Sequence, residues 1–164
     1  MPIDIGWLVE KRVSYFDYHG DITVKELQLA TRIGLEFLEQ VDAPLLHTVQ
    51  NSDDIASFPV QIGSVNKIVR ESLSHPKMGW IISVGIQSDI IRFVAGLVTK
   101  MMKTRSRIVE DIDEAKTFLN YVDTSLIDLK TVSLPTKEQM LYRIVDDQVI
   151  EVQASSTMQP MKEQ

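Results

Sequence analysis

Three short polar stretches carry the residue types that could bind a ligand, and each follows an apolar run typical of a β-strand. They read His19-Gly20-Asp21, Gln50-Asn51-Ser52-Asp53 and Gly85-Ile86-Gln87-Ser88. In open α/β sheets, ligands bind outside the carboxyl ends of the parallel strands, so these stretches are predicted to meet at one edge. The helix N-termini expected there would attract an anion through their free N–H groups.

This pattern predicts a site for a small polar or anionic ligand, or a docking surface for a partner. The predicted site residues are His19, Asn51, Ser52, Asp53, Gly85, Gln87 and Ser88. The same residue types form turns and cap helices, so a structural role is the alternative for each of them.

A second group of residues is basic and lies around the end of a predicted helix. Its members are Arg92, Lys100, Lys103, Arg105 and Arg107. Such a patch could contact an acidic partner or a phospholipid head group, or its cations could simply offset the dipole at the helix C-terminus. The net charge of the chain is −6, which makes the patch a weak general trap for anions.

Motifs for catalysis, metal binding and cofactor binding are missing from the sequence. The chain has no cysteine, and His19, His47 and His75 are too far apart for a metal-ligand motif. His47 lies in a predicted strand and is expected to pack in the core. The acidic run Glu110–Glu114 lacks EF-hand spacing and is better explained by helix capping. A nucleophile elbow, a Walker A loop and a dinucleotide-binding glycine motif are also missing, so we predict no enzymatic activity, cofactor or metal ion.

Hydrophobic periodicity predicts alternating strands and helices that would position these residues. The predicted strands are Ile5–Val9, Val13–Tyr18, Leu45–Val49, Gly79–Val84 and Arg105–Val109. The predicted helices are Val24–Gln40, Gln61–Ser74, Ser88–Met102 and Ile112–Tyr121, with a single helical turn at Asp54–Phe58. Thr23 with Glu26, and Asp111 with Glu114, have the spacing of capping boxes at two helix starts.

The order ββαβαβαβα predicts an α/β fold with a mixed, mostly parallel sheet and helices on both faces. The continuous apolar run of Gly79–Val84 is typical of a central parallel strand. The polar link between the first two strands is short, so they are predicted to form an antiparallel hairpin at the sheet edge.

The helix Ser88–Met102 has a wide apolar stripe and is predicted to pack across the sheet. Gly96, with Ala95 and Thr99 beside it, could form the seam of a homodimer or the mouth through which an apolar ligand enters. The two methionines at the end of the helix would suit such an adaptable pocket, and core packing is their alternative role.

Residues 1–123 are predicted to form one domain, and residues 124–164 a C-terminal extension. In the extension, Thr136–Gln139 could form a short capped helix, and Met140–Val145 and Gln148–Val152 a small hairpin. Ala154–Gln164 is polar and is predicted to be disordered. The extension is expected to cover an edge of the sheet or to mediate self-association.

Composition limits the function classes further. The 17 basic and 23 acidic residues argue against a general nucleic-acid binder, which would have a basic balance. No apolar run reaches the length of a membrane span. The first residues lack the basic and apolar regions of a signal peptide, so a cytoplasmic location is expected.

The chain resembles the STAS superfamily, and more closely its SpoIIAA-like branch (the STAS/SEC14 type), over about residues 5–122. The resemblance rests on the opening hairpin leading into His19-Gly20-Asp21-Ile22-Thr23, on the strand Trp80–Gly85 and on the stretch Arg105–Leu119. That stretch is similar to the family ending Arg-Val-Phe-Asp-x-x-x-Glu-Ala-x-x-Trp/Phe-Leu. The resemblance implies a SpoIIAA-like fold and a non-enzymatic regulatory or binding domain.

The anti-sigma-factor antagonists of this superfamily carry Asp-x-Ser-Gly at the start of the second helix, and its serine is phosphorylated. The same place here reads Asn51-Ser52-Asp53-Asp54-Ile55-Ala56-Ser57. The resemblance makes Ser52 and Ser57 the candidate phosphorylation sites, but the Ser-Gly pair is missing, which argues against the same switch.

Together these observations favour a regulatory domain that acts through contacts with a protein partner, with a homodimer as one alternative. The second hypothesis is a carrier or sensor domain for a lipid or another small apolar or anionic ligand. Such a ligand would lie between the long helices and the sheet.

Overall fold

The computed structural model describes residues 3–152, which form one seven-stranded sheet and four α-helices. The strands are β1 (Ile3–Val9), β2 (Val13–Asp21), β3 (Leu46–Ser57), β4 (Met78–Val84), β5 (Ser106–Val109), β6 (Tyr142–Val145) and β7 (Gln148–Glu151). The helices are α1 (Val24–Gln40), α2 (Ile62–Leu73), α3 (Asp89–Met101) and α4 (Ile112–Val122), with short 3₁₀ turns at Leu129–Thr131 and Lys137–Gln139. The prediction of disorder for Ala154–Gln164 concerns residues outside the described range.

The strands are ordered β5-β4-β3-β2-β1-β6-β7 across the sheet. The pairs from β2 to β5 are parallel, whereas β1 pairs antiparallel with both β2 and β6. The predicted α/β class, the mixed sheet and the C-terminal hairpin are confirmed. The prediction that the opening hairpin forms the sheet edge is wrong, because Ile3 of β1 pairs with Ile144 of β6.

Side-chain alternation along the strands gives the sheet two separate cores. On one face, Phe16 and Ile81 pack against α1, and α2 and α3 extend this layer. On the other face, Tyr15, Val49 and Ile82 pack with α4 and with the segment that follows it. The helices therefore cover both faces, as predicted.

The predicted capping residues Thr23 and Asp111 begin helices where expected, and Thr23 with Glu26 forms a complete capping box. At the start of α4, the Glu114 carboxylate accepts from the Glu110 N–H instead of the Asp111 N–H. Thr23 Oγ1 accepts a hydrogen bond from the Glu26 N–H, and Glu26 Oε1 accepts one from the Thr23 N–H, each at 3.0 Å. Asp111 Oδ1 accepts from the Glu114 N–H at 2.8 Å. These side chains satisfy N–H groups that have no partner inside the helix, which fixes the starts of α1 and α4.

Strand β3 is much longer than predicted, and the helical turn predicted at Asp54–Phe58 is absent from it. Residues of this segment pair with the end of β2 instead: Ile55 pairs with Gly20, and Ser57 with Asp21. The Ser57 carbonyl also accepts a hydrogen bond from the Ile22 N–H at 2.9 Å. Pairing with a distant strand therefore overrides the local turn preference of this sequence.

Helix α3 is less buried than its apolar stripe predicted. Only Val94 and Val98 are buried, in a cluster with residues of α1 and α2. Ile90, Phe93 and Met101 are 55%, 58% and 54% exposed. The helix packs on the neighbouring helices instead of lying flat across the sheet, which leaves space beneath it.

Candidate functional site

A β-bulge interrupts the pairing of β2 with β3 near the carboxyl ends of these strands. Asn51 pairs with Asp17, but the next registered pair is Asp54 with His19, so β3 carries one extra residue between them. Two residues of β3 therefore lie opposite the single residue Tyr18. Bulges of this kind bend a strand and redirect its side chains, and they are frequent beside binding sites.

The bulge reverses which face of the sheet the following residues of β3 occupy. Strict alternation would place Ser52 and Ile55 on opposite faces, because they are an odd number of positions apart. Both line the same cavity on the α1–α3 face, together with Gln50. The extra residue is what brings a polar and an apolar side chain of one strand into the same space.

The cavity has a volume of about 110 Å³ and lies between the sheet and helices α2 and α3. Its lining is mainly apolar: Leu27, Ile55, Phe58, Val65, Val69, Leu73, Ile81, Ile86, Ile91, Val94, Ala95 and Val98. A second cavity of about 70 Å³ continues the space towards α1 and shares Tyr18, Gln50 and Ile81 with the first. Ala95 and Thr99, the α3 residues predicted at the mouth of an apolar site, line the larger cavity.

Four polar side chains of the sheet reach this apolar space, namely Tyr18, Gln50, Ser52 and Ser83. Tyr18 is 4% exposed and Ser52 is 8% exposed. Within residues 3–152, the structure gives no hydrogen-bond partner to the Tyr18 hydroxyl or the Ser52 hydroxyl. Burial raises the pKa of Tyr18 above its usual value, so this hydroxyl stays protonated and can donate.

His19 lies on the opposite face of the sheet, among carboxylates. Its Nδ1 is 3.0 Å from Asp54 Oδ2, and its Nε2 is 3.1 Å from Asp17 Oδ2. The buried Asp4 lies 3.9 Å from Nε2 and is held by Arg143 Nε at 2.7 Å. Burial raises the pKa of Asp17, and the neighbouring His19 opposes that shift. The residues of this cluster belong to β1, β2, β3 and β6, so their ion pairs connect these four strands. We interpret the cluster as structural.

The other predicted site residues are divided between separate roles. Asn51 Nδ2 donates to an Asp17 carboxylate oxygen at 3.2 Å, on the same face as His19. A Cβ atom on Gly85 would lie 2.7 Å from Asp53 Cβ, and its φ of +71° also requires glycine. Gln87 is exposed.

Ser88 caps α3, where its Oγ accepts from the Ile91 N–H at 3.3 Å. Of the seven predicted site residues, Ser52 is the member that lines the cavity.

Three of the five predicted basic residues bind separate parts of the protein. Arg92 donates to the Ile86 carbonyl at 3.0 Å, Arg105 donates to the Met78 carbonyl at 3.2 Å, and Arg107 stacks over the Phe118 ring at 4.6 Å. Lys100 and Lys103 are exposed. Each of these three arginines therefore has a partner within the protein, and no ligand is needed to explain its position.

Neither candidate phosphorylation site lies at the start of α2. Ser52 is buried in the middle of β3. Ser57 is exposed, and its Oγ donates to Asp21 Oδ1 at 2.7 Å. A phosphate on Ser57 would therefore stand beside a carboxylate, which is electrostatically unfavourable.

His47 is buried, as predicted, and both of its ring nitrogens are occupied. Its Nε2 lies 2.8 Å from Asp123 Oδ2, and its Nδ1 accepts from the Trp80 N–H at 3.0 Å. The ring is therefore the Nε2–H tautomer. Burial lowers the pKa of His47, and the bond to Asp123 opposes this. The pair therefore connects Asp123, at the end of α4, to the sheet. His47 has no free ring nitrogen for proton transfer to a ligand.

The sequence interpretation missed Tyr18 and Ser83 as site residues. One signal was present: Thr48, Gln50 and Ser52 are polar at every second position of the strand, so they share one face. Such alternation places hydroxyl and amide groups beneath a helical layer that is otherwise hydrophobic. The bulge in β3 and the gap between α3 and the sheet depend on contacts between residues that are distant in sequence. No short sequence pattern therefore predicts them.

Among residues 3–152, no group of three or more His, Cys, Asp or Glu side chains has a geometry that could hold a metal ion. The same described range contains no helix with the length and apolar character needed to cross a membrane.

Comparison with known structures supports the architecture. A crystal structure of an uncharacterized protein from the DUF3478 family with a SpoIIAA-like fold, from Shewanella loihica PV-4, superposes with a TM-score of 0.52. The two chains are 14% identical, and the match covers 71% of this chain and 91% of the other. The fold is SpoIIAA-like. At this identity the likeness establishes the fold alone. No protein-family model and no curated protein matches the sequence.

Proposed function

We propose that this chain is a non-enzymatic binding domain that holds a small, mainly apolar molecule between its helices and its sheet. The observation that carries this proposal is the cavity of about 110 Å³ under α3, with the buried Tyr18 hydroxyl unpartnered at its wall. The carrier or sensor hypothesis is thus better supported by the geometry than the protein-contact hypothesis favoured by the sequence.

The size and the chemistry of the cavity suit a small ligand. A cavity of about 150 Å³ lined by aliphatic and aromatic residues stays dry and binds benzene in another protein. Here aliphatic side chains of the sheet and of α3, such as Ile81, Val94 and Val98, form comparable walls. Within the described part of the chain, Tyr18 is the one titratable residue of the lining, and convergent acid and base groups of the kind used in catalysis are missing there.

Titration with toluene, followed by NMR of the side-chain methyl groups, tests this proposal. We expect the methyl signals of Ile81, Val94 and Val98 to shift, while those of the exposed Val149 on β7 stay unchanged. The substitution Ala95→Leu should fill the cavity and weaken toluene binding at least tenfold. The matched variant Gly96→Ala changes a residue of the same helix with open space around it, and should bind toluene normally.

The proposal fails if toluene-saturated buffer moves none of the lining methyl signals of the wild-type protein. It also fails if Ala95→Leu binds toluene as tightly as Gly96→Ala does.

A second candidate function, self-association, is favoured by the exposed apolar side chains of α3. Ile90, Phe93 and Met101 are each more than half exposed along this helix. A two-fold antiparallel pairing of α3 with a second copy would cover them, and would set the acidic end of one helix at Asp89 beside the basic end of the other at Lys100. Sedimentation equilibrium should then show a dimer that Phe93→Ser converts to a monomer. A wild-type monomer at high concentration would eliminate this candidate.

A further inference from the structure

The cavity described above excludes charged ligands by its own composition. Among residues 3–152, no Asp, Glu, Lys, Arg or His side chain lines this cavity or the adjoining smaller one. An ion transferred into such a space would lose its hydration without gaining a counter-ion. The carboxylates around His19 lie on the opposite face of the sheet and cannot provide one.

The N-cap Ser88 and the first residues of α3, Asp89 and Ile90, do not line this space. Ile91 does line it, but its N–H already donates to Ser88 Oγ. Thr99, the hydroxyl residue of α3 in the lining, donates to the Ala95 carbonyl at 2.9 Å. The groups left to recognise a ligand are therefore those of the sheet.

The sheet offers a localised hydrogen-bonding position. The bulge sets Ser52 and Asp53 opposite Tyr18, and both Ser52 and Tyr18 line the cavity. Both residues are largely buried, and within residues 3–152 the structure gives neither hydroxyl a hydrogen-bond partner. Because both residues line the cavity, their hydroxyls can hydrogen-bond to a molecule that occupies it.

We infer that the ligand is an uncharged molecule, about the size of one aromatic ring, that carries one hydrogen-bonding group such as an alcohol or an amide. Its polar group hydrogen-bonds to the Tyr18 and Ser52 hydroxyls, and its apolar body contacts Val94, Val98 and Ile81. This inference rests on the proposed binding function and narrows its ligand class. It replaces the anionic ligand that the sequence allowed as an alternative.

A matched set of three probes tests the inference: toluene, benzyl alcohol and benzoate share one ring and differ in the polar group. Dissociation constants are measured at pH 7.5 by NMR titration of the full chain. We expect benzyl alcohol to bind roughly five- to tenfold more tightly than toluene, because one hydrogen bond to a buried hydroxyl gives about that ratio. Benzoate should bind at least tenfold more weakly than benzyl alcohol.

The variant Tyr18→Phe keeps the ring and removes one of the two hydroxyls, so its preference for benzyl alcohol over toluene should be clearly smaller than that of the wild type. The matched variant Tyr15→Phe changes a buried tyrosine of the same strand on the opposite face, and should keep the wild-type preference. Equal binding of toluene and benzyl alcohol by the wild type would overturn the inference while leaving the binding function intact. Tightest binding of benzoate would also overturn it. Failure of all three probes to bind would remove the proposed function itself.

Discussion

Tyr15 and Tyr18 lie on the same strand, and their side chains are 2% and 4% exposed. Their hydroxyls nevertheless lie on opposite faces of the sheet and in different surroundings. On the α4 face, burial raises the pKa of the Tyr15 hydroxyl, and the nearby Asn51 side chain opposes this shift. On the α1–α3 face, the Tyr18 hydroxyl borders a cavity and has no partner within residues 3–152. On the α4 face, Tyr15 is packed in a hydrophobic cluster. The α1–α3 face contains a cavity with a hydroxyl at its wall, and a ligand could use both.

The same contrast holds for the wider surroundings of the two residues. The α4 face contains the His47–Asp123 pair, with both imidazole nitrogens bonded and the backbone of Gly79 in close approach. The α3 side is held by only two buried valines of that helix. Substitutions on the α4 face should therefore cost more stability than substitutions at the cavity.

The largest effect is expected for Gly79→Ala. A Cβ atom there would lie 2.5 Å from His47 Nδ1 and 3.0 Å from the Leu46 carbonyl oxygen, so the ring must move and lose its bond from the Trp80 N–H. We expect a loss of about 3 kcal/mol in the free energy of unfolding, measured with urea. The control Gly96→Ala, on the open side of α3, should gain about 1 kcal/mol from helix propensity. Equal effects of the two substitutions would remove the distinction between the faces.

Asp123→Ala should follow in size. It leaves the buried His47 Nε2–H without an acceptor and removes hydrogen bonds from the Ser125 N–H and Oγ. The expected loss is about 2 kcal/mol of unfolding free energy. Asp42→Ala, at an exposed position after α1, should change the stability by less than about 0.5 kcal/mol. A similar cost for both would mean that the His47 pair does not stabilise the fold.

The same pair should make stability depend on pH in two windows. The folded pKa of His47 is lowered by burial, so the unfolded chain binds this proton first and stability falls as the pH decreases below about 6.5. Burial would raise the pKa of Asp123, but hydrogen bonds from Ser125 and His47 lower it to about 2. Its contribution is complete above about pH 4 and is lost as the pH falls towards 2.

Urea unfolding between pH 7.5 and pH 2 measures both windows. His47→Gln should flatten the upper window relative to the wild type, because the variant lacks the imidazole whose pKa is lowered by folding. An identical slope in the variant and the wild type between pH 7.5 and 5 would contradict the assignment to His47.

The smallest change in stability is expected for the two tyrosine variants, which compare the two faces of the sheet most directly. Tyr15→Phe should lose about 1 kcal/mol of unfolding free energy, because it removes the interaction of the hydroxyl with the Asn51 side chain. Tyr18→Phe should be neutral or slightly stabilising without ligand, since it removes a cavity-lining hydroxyl that has no partner within residues 3–152. Differential scanning calorimetry of the two variants would show the difference. A larger loss for Tyr18→Phe would mean that its hydroxyl has a partner in the folded chain.

Local patterns predicted the parts of the fold that depend on neighbours in sequence. The capping box at Thr23, the apolar run of β4 and the hairpin about Asp146 were all recognisable because their signals lie within a few residues. The order of strands and helices followed from these signals, and the SpoIIAA-like fold followed from the resemblance.

The candidate site was less predictable because it depends on register and on the spacing of layers. Nothing within the stretch Gln50–Asp53 shows that it continues as a strand, since its pairing partners lie on β2. The apolar residues of α3 predicted burial correctly for Val94 and Val98, but hydrophobicity alone cannot distinguish contact with a sheet from contact with a helix or from exposure. Of the predicted ligand residues, Ser52 lines the cavity, and it does so on the face opposite to Asn51.

The pairing of Ile3 with Ile144 has a consequence for how the chain folds during synthesis. Strand β1 leaves the ribosome well before the strand that covers its free side, because β6 follows β5 and α4 in the chain. Until then β1 presents unpaired backbone groups that could bind another nascent chain. The C-terminal hairpin therefore completes the sheet late, and truncation before β6 should promote aggregation even though the cavity residues are all present.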